Sequence, residues 1–219
     1  MKLKLFLLLF VAAFTFNVRA QSGFPFDNEV REFKKVDSLN NTKPGGILFI
    51  GSSSIRLWDD LEQRFAGKPI VKRGLGGSQL SQWVQYYAPF VVYPYKPKKI
   101  FLYAGENDIA AGKTAKEVTA DFETFWKMLS DNLPKAEIYF MAIKPSPSRA
   151  KFYGEVNTAN QLIKESIKVK RRTHYLDVAT VILNEKTGQP DSSLFKSDLL
   201  HLNSKGYDKW QQAIEKDVK

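Results

Sequence analysis

No cysteine occurs anywhere in the chain, so disulfides, thiol nucleophiles, cysteine metal ligands and a lipid-modified cysteine anchor are all excluded. Histidine is nearly as scarce. Only His174 and His201 are present, too few for a multi-histidine zinc site and the only side chains whose ordinary titration makes them bases at neutral pH. Beyond the first residues, long apolar runs are also missing: the later strand-like stretches are broken by Lys, Pro or Gly within a few residues, well short of the roughly 20 that a membrane-spanning helix needs. Stable membrane insertion is therefore not expected.

What the chain does have in excess is positive charge, +10 formally at pH 7. The lysines are scattered rather than gathered in one tract, which reads as a solvated surface and not as a nucleic-acid interface. Lys2, Lys4 and Arg19 belong to a leader in which an apolar run, Leu5 to Phe16, lies between basic residues and the small Ala20. That layout predicts a secretory signal peptide over residues 1–20, cleavage near Ala20, and a secreted or periplasmic product. Residues 21–219 are then of a size for one domain with a substantial core.

After a polar segment with a helix predicted over Glu29 to Leu39, apolar runs alternate with amphipathic ones. Strands are predicted at Ile47 to Ile50, Pro69 to Lys72, Lys99 to Ala104, Glu137 to Ala142 and His174 to Leu176. Helical spacing falls at Ile55 to Phe65, Gln79 to Tyr87, Ala115 to Leu133, Tyr153 to Arg171 and Ser204 to Val218. In the third of these, Phe122, Phe125, Trp126 and Leu129 recur at three and four residues and would share a buried face. The pattern predicts an α/β fold with a parallel sheet.

Ligands of open parallel sheets bind outside the carboxyl ends of the strands. Three polar or glycine-rich sequences fall there: Gly51-Ser52-Ser53-Ser54, Gly74-Leu75-Gly76-Gly77-Ser78 and Gly105-Glu106-Asn107-Asp108. A fourth, Asp198-Leu199-Leu200-His201, precedes the last helix, so four distant loops could converge. Pro145-Ser146-Pro147-Ser148 reads as a surface loop bordering the same region.

A serine after a strand is commonly a helix cap, and that reading suits Ser52 or Ser54. Ser53 has another use. A hydroxyl beside backbone N–H groups can attack a carbonyl whose developing oxyanion those groups bind, provided a base takes its proton. His201 is the better base, because His174 starts a strand and so lies at the wrong edge of the sheet. Three residues before it, Asp198 can face the same way and accept from one imidazole nitrogen; otherwise it caps the final helix. Gly77 lets backbone approach the reacting carbonyl, and the Asn107 amide can donate to its oxygen; read separately, both are turn residues.

Taken in order, these four blocks resemble those of the SGNH (GDSL-like) hydrolases, and the likeness spans nearly all of residues 21–219. Within that family the nearest likeness is to platelet-activating-factor acetylhydrolase catalytic subunits and their bacterial relatives. Ser52 stands where the family's first block usually carries aspartate. The resemblance implies a three-layer α/β/α, flavodoxin-like fold with five parallel strands. It implies Ser53 as nucleophile, Asp198 and His201 as the rest of a triad, and Ser53, Gly77 and Asn107 as oxyanion donors, with no metal or organic cofactor. It also implies a short-acyl esterase acting on a small molecule, glycan or lipid.

The aromatic run Trp83, Tyr86, Tyr87, Phe90, Tyr93 and Tyr95 could wall an acyl or sugar pocket, although at least half of it is expected in the core. The competing readings are a non-catalytic carbohydrate- or lipid-binding protein of the same fold, or a flavodoxin-like nucleotide or flavin site. Gly74-Leu75-Gly76-Gly77 is too short to be a dinucleotide fingerprint, and the metal-binding clusters usual for phosphodiester hydrolysis are not evident.

Overall fold

A computed structural model describes residues 24–219, so the predicted leader, residues 1–20, lies outside the described residues. Five strands, β1 (Ile47–Gly51), β2 (Ile70–Gly74), β3 (Lys99–Tyr103), β4 (Glu137–Met141) and β5 (Thr173–Leu176), form one sheet in the order β2-β1-β3-β4-β5. Every pairing is parallel, as the alternating pattern requires. The strands begin and end within two residues of their predicted bounds.

Period-two alternation divides the strand side chains between two apolar layers. Leu48, Ile50, Ile100, Leu102, Ile138 and Phe140 face one layer, which takes in Phe122, Phe125 and Leu129 of α6 (Ala115–Asn132) and Ile163 of α7 (Tyr153–Ile167). Trp126, beside them, is only partly buried and donates from its indole to Thr173 Oγ1 at 2.9 Å. Phe49, Phe101, Tyr139 and Met141 face the other, with Trp58 and with Tyr207 and Trp210 of α8 (Ser204–Val218). On this second side Phe49, Phe101, Tyr139 and His174, which are register partners on four successive strands, stack with centroids 4.5, 4.6 and 4.6 Å apart. The result is the α/β/α sandwich that the blocks implied.

Local chemistry sets the element ends. The first helix, α1 (Asp27–Asn40), stops at Asn41 in the left-handed region. Thr114 and Glu117 close a reciprocal capping box at the start of α6, and Asn203 accepts from Gly206 N–H at 3.2 Å at the start of α8.

Three helices depart from their predicted spans. Ile55 to Phe65 is two short helices, α2 (Ser53–Arg56) and α3 (Leu61–Arg64), broken where Trp58 turns fully into the core against Phe49, Tyr207 and Trp210. Gln79 to Tyr87 becomes α4 (Leu80–Gln82) followed by a π-helix, Trp83–Val92. Pro89 has no N–H to give, and the chain passes it in this wider winding instead of stopping. Tyr153 to Arg171 ends early, at Ile167, because the chain must reverse through left-handed Arg172 to enter β5.

Candidate active site

Ser53 begins α2 immediately beyond the carboxyl end of β1. The junction is tight. Gly51 has φ +134°, and a Cβ there would lie 1.8 Å from the Tyr103 carbonyl oxygen, so only glycine fits. Ser52 N–H donates to the same oxygen at 3.0 Å, which ties the turn to β3. Ser52 makes no side-chain capping bond, so the cap expected of it is not formed.

The hydroxyl of Ser53 lies 2.9 Å from His201 Nε2, across 148 residues of sequence. His201 Nδ1 lies 2.6 Å from Asp198 Oδ2. An ionised carboxylate only accepts, so Nδ1 carries the proton and Nε2 is left to accept from Ser53. Asp198 does not cap α8, a role taken by Asn203; its Oδ1 accepts instead from Leu200 N–H (2.9 Å) and His201 N–H (3.0 Å). Burial works to raise the Asp198 carboxyl, but the bonds from the His201 ring and these two N–H groups outweigh it and hold it well below the ordinary carboxylate range. Between the two residues Leu199 adopts φ +53°, and its carbonyl accepts from Ser148 N–H at 3.0 Å. The 145–148 segment thus does border the site, but it is not the surface loop expected: Pro145 and Ser146 are buried, and the chain winds into a 3-10 helix from Pro147 to Phe152.

Gly77 and Asn107 sit on neighbouring loops. Gly77 has φ +84° with open space where a Cβ would stand. Its loop is stitched to β1, since Leu75 N–H (2.8 Å) and Ser78 Oγ (3.3 Å) both donate to the Gly51 carbonyl and Trp83 Nε1 donates to Ser78 Oγ (3.0 Å). Asn107 Nδ2 donates to the Ser78 carbonyl at 3.1 Å, joining the third loop to the second. Ser53, Asp198 and His201 are directly linked, and Gly77 and Asn107 occupy adjoining loops through Ser78.

His174 is exposed at the far end of the ring stack and pairs with Glu137 at 2.8 Å, a structural role. Of the aromatic run, Trp83, Tyr87 and Tyr95 are buried. Tyr86, Tyr87 and Phe90 line a cavity of about 280 Å³ with Phe24 and α1, and Ser53 is not among its walls.

Two supports under the site went unassigned in the sequence although their residues lie in or beside its motifs. Asp108 is fully buried, accepts from Leu80 N–H (3.1 and 3.0 Å) and pairs with Lys113 (2.8 Å), fixing the chain just after Gly77. Burial pushes its carboxyl up against the opposing pull of Lys113 and Leu80. Glu106 is buried too, and accepts from Tyr103 Oη (2.7 Å), Lys144 Nζ (2.8 Å) and Ser146 Oγ (3.0 Å). Burial alone would raise the Glu106 carboxyl, but Lys144 above all outweighs it and holds the group below its ordinary value, while burial pushes the Lys144 ammonium down. The signal available was an acidic residue on either side of Asn107 in a motif otherwise made of small and polar residues.

Among the described residues no helix is long and apolar enough to cross a membrane. The profile of the GDSL-like Lipase/Acylhydrolase family matches residues 49–209, and the chain belongs to that family; it is a carboxylic ester hydrolase. No curated protein sequence matches it. Among solved structures it is similar to a Streptococcus pneumonia protein provisionally described as a platelet activating factor, with 22% identity, 89% of this chain and 93% of that one covered, and a TM-score of 0.77. It is similar also to a GDSL-like lipase from Bacteroides thetaiotaomicron (15% identity, 86% and 96% covered, TM-score 0.69). An acetyl xylan esterase from Geobacillus stearothermophilus shares 14% identity over 80% of this chain and 95% of that one, with a TM-score of 0.61. Identities this low establish a common fold alone.

Proposed function

We propose that Ser53, His201 and Asp198 are the catalytic triad of this esterase and that it removes short acyl groups, acetyl foremost, from a carbohydrate or lipid outside the cytoplasm. The observation that carries the reading is the unbroken chain from Ser53 Oγ to His201 (2.9 Å) to Asp198 (2.6 Å).

In the first step His201 Nε2 takes the Ser53 proton as Oγ bonds to the ester carbonyl carbon. Asp198 keeps the ring in the tautomer that can do this and stabilises the imidazolium that results. The oxyanion is held by the N–H groups of Ser53 and Gly77 and by the Asn107 amide. When the carbon–oxygen bond to the alcohol breaks, the alcohol leaves with the proton from His201. Water, deprotonated by the same nitrogen, then releases the acid and restores Ser53.

A small acyl group is supported by a structural neighbour that is an acetyl xylan esterase. Export is supported by the lysine-led apolar leader.

Turnover of p-nitrophenyl esters of rising chain length, acetylated sugars and acylated lipids tests the whole reading. Wild type is expected to favour acetyl, and Ser53→Ala to lose essentially all activity. Equal rates for the two proteins would remove Ser53 from the chemistry.

A further inference from the structure

We infer that Arg149 is a positioning residue for the oxyanion hole: its guanidinium clamps the Asn107 side chain so that one amide hydrogen is left for the reacting oxygen. The inference rests on the catalytic reading above.

A primary amide has one acceptor oxygen and two donor hydrogens. Asn107 Oδ1 accepts from an Arg149 guanidinium nitrogen at 3.1 Å, and one hydrogen of Nδ2 is given to the Ser78 carbonyl at 3.1 Å. Only the second hydrogen remains. These two partners also decide which way the amide faces. Rotating it by 180° would bring Oδ1 against the Ser78 carbonyl and Nδ2 against a permanently charged guanidinium, two repulsive contacts in place of two bonds. Without Arg149 the Ser78 bond alone would have to hold the side chain.

Arg149 is itself held. Another of its nitrogens donates to the Glu106 carbonyl at 3.3 Å and stands 3.4 Å from the Glu106 carboxylate. That carboxylate is pinned in the interior by Tyr103, Lys144 and Ser146, so the clamp has a rigid base. A hydrogen bond from a cation also polarises the amide toward a stronger N–H donor. Arg149 and Asn107 are 42 residues apart, the first in the 3-10 helix Pro147–Phe152 that follows β4 and the second at the start of α5 (Glu106–Ala110).

The test is a double-mutant cycle in the full-length enzyme with p-nitrophenyl acetate, using Arg149→Ala, Asn107→Ala and both together, with Ser53→Ala as reference. Arg149→Ala is expected to lower kcat about tenfold or more and leave KM within about twofold, because the clamp serves a bond strongest in the transition state. Asn107→Ala is expected to lower kcat by about 100- to 1000-fold. The double variant should match Asn107→Ala to within about twofold, since a clamp has nothing to do once its amide is gone. Millimolar guanidinium should partly restore Arg149→Ala and do nothing for the double variant. Should Arg149→Ala lose the fold by circular dichroism, Arg149→Gln, which keeps a donor for Oδ1, takes its place and should fall between wild type and Asn107→Ala.

Multiplicative losses in the double variant, or wild-type kcat in Arg149→Ala, overturn the inference while leaving the triad intact. An active Ser53→Ala overturns the catalytic reading itself.

Discussion

Replacing Glu106 by glutamine probes the polar base of the site without changing its volume. The carboxylate serves three donors, Tyr103 Oη, Lys144 Nζ and Ser146 Oγ, all within 3.0 Å, and Lys144 is wholly buried. Glutamine keeps one acceptor but turns the other into a donor facing donors, and it leaves the ammonium without its counter-charge. Breaking one side of a buried ion pair typically costs about 3–5 kcal/mol. With a urea m-value of about 2 kcal/mol/M, the midpoint should fall by about 2 M. Acid dependence gives an independent check. In the native state the Glu106 carboxyl sits below its ordinary value of 4.5, so its contribution is fully present above that pH and is lost as pH falls through the native value. Stability therefore rises with pH across that acid window in the wild type, and Glu106→Gln should lack this part of the slope. Replacing both partners, Glu106→Gln with Lys144→Met, should recover much of the loss, because no charge is then stranded. Urea titrations at pH 7 and at steps down to pH 3 measure all of this. An unchanged midpoint in Glu106→Gln, or a double variant no better than the single one, would refute the reasoning.

Gly51→Ala should be among the most destabilising single changes in the sheet, by about 3 kcal/mol or more, because its methyl would stand 1.8 Å from a backbone oxygen of β3 at a φ that L-residues avoid; a near-wild-type thermal midpoint would contradict it. In the pH profile of kcat/KM, the acid limb should have a limiting slope of one, because the hydrogen bonds that hold the Asp198 carboxyl well below the ordinary carboxylate range keep it from adding a proton of its own in mild acid. A slope of two would show that a second group of the site titrates there.

The strands were legible because burial on both faces forces continuous apolar runs, as in Ile47–Ile50 and Ile100–Tyr103, which need no knowledge of the rest of the chain. The linkage of Ser53 with Asp198 and His201 was legible through motif order rather than geometry, since 148 residues separate the hydroxyl from the ring. What escaped depends on tertiary contact. Nothing local says that Trp58 will turn inward and break a helix, or that the chain will run through Pro89 in a π winding. Lys144 reads as a surface lysine until Glu106, 38 residues earlier, is placed beside it, and the Arg149–Asn107 contact is hidden in the same way. The 280 Å³ cavity shows the converse: aromatic residues close to a motif need not face it.

The row of rings from Phe49 to His174 acts as a vernier for the sheet. Strand spacing and the distance between stacked rings nearly coincide, so a strand displaced by one position would throw its ring into the opposite layer, and on β1 and β3 an aliphatic neighbour, Leu48 or Ile50 and Ile100 or Leu102, would stand in the vacancy. The three ring-to-ring contacts together discourage such a misalignment, and the loop tips that carry Ser53 and Asn107 inherit that alignment from the strands below them.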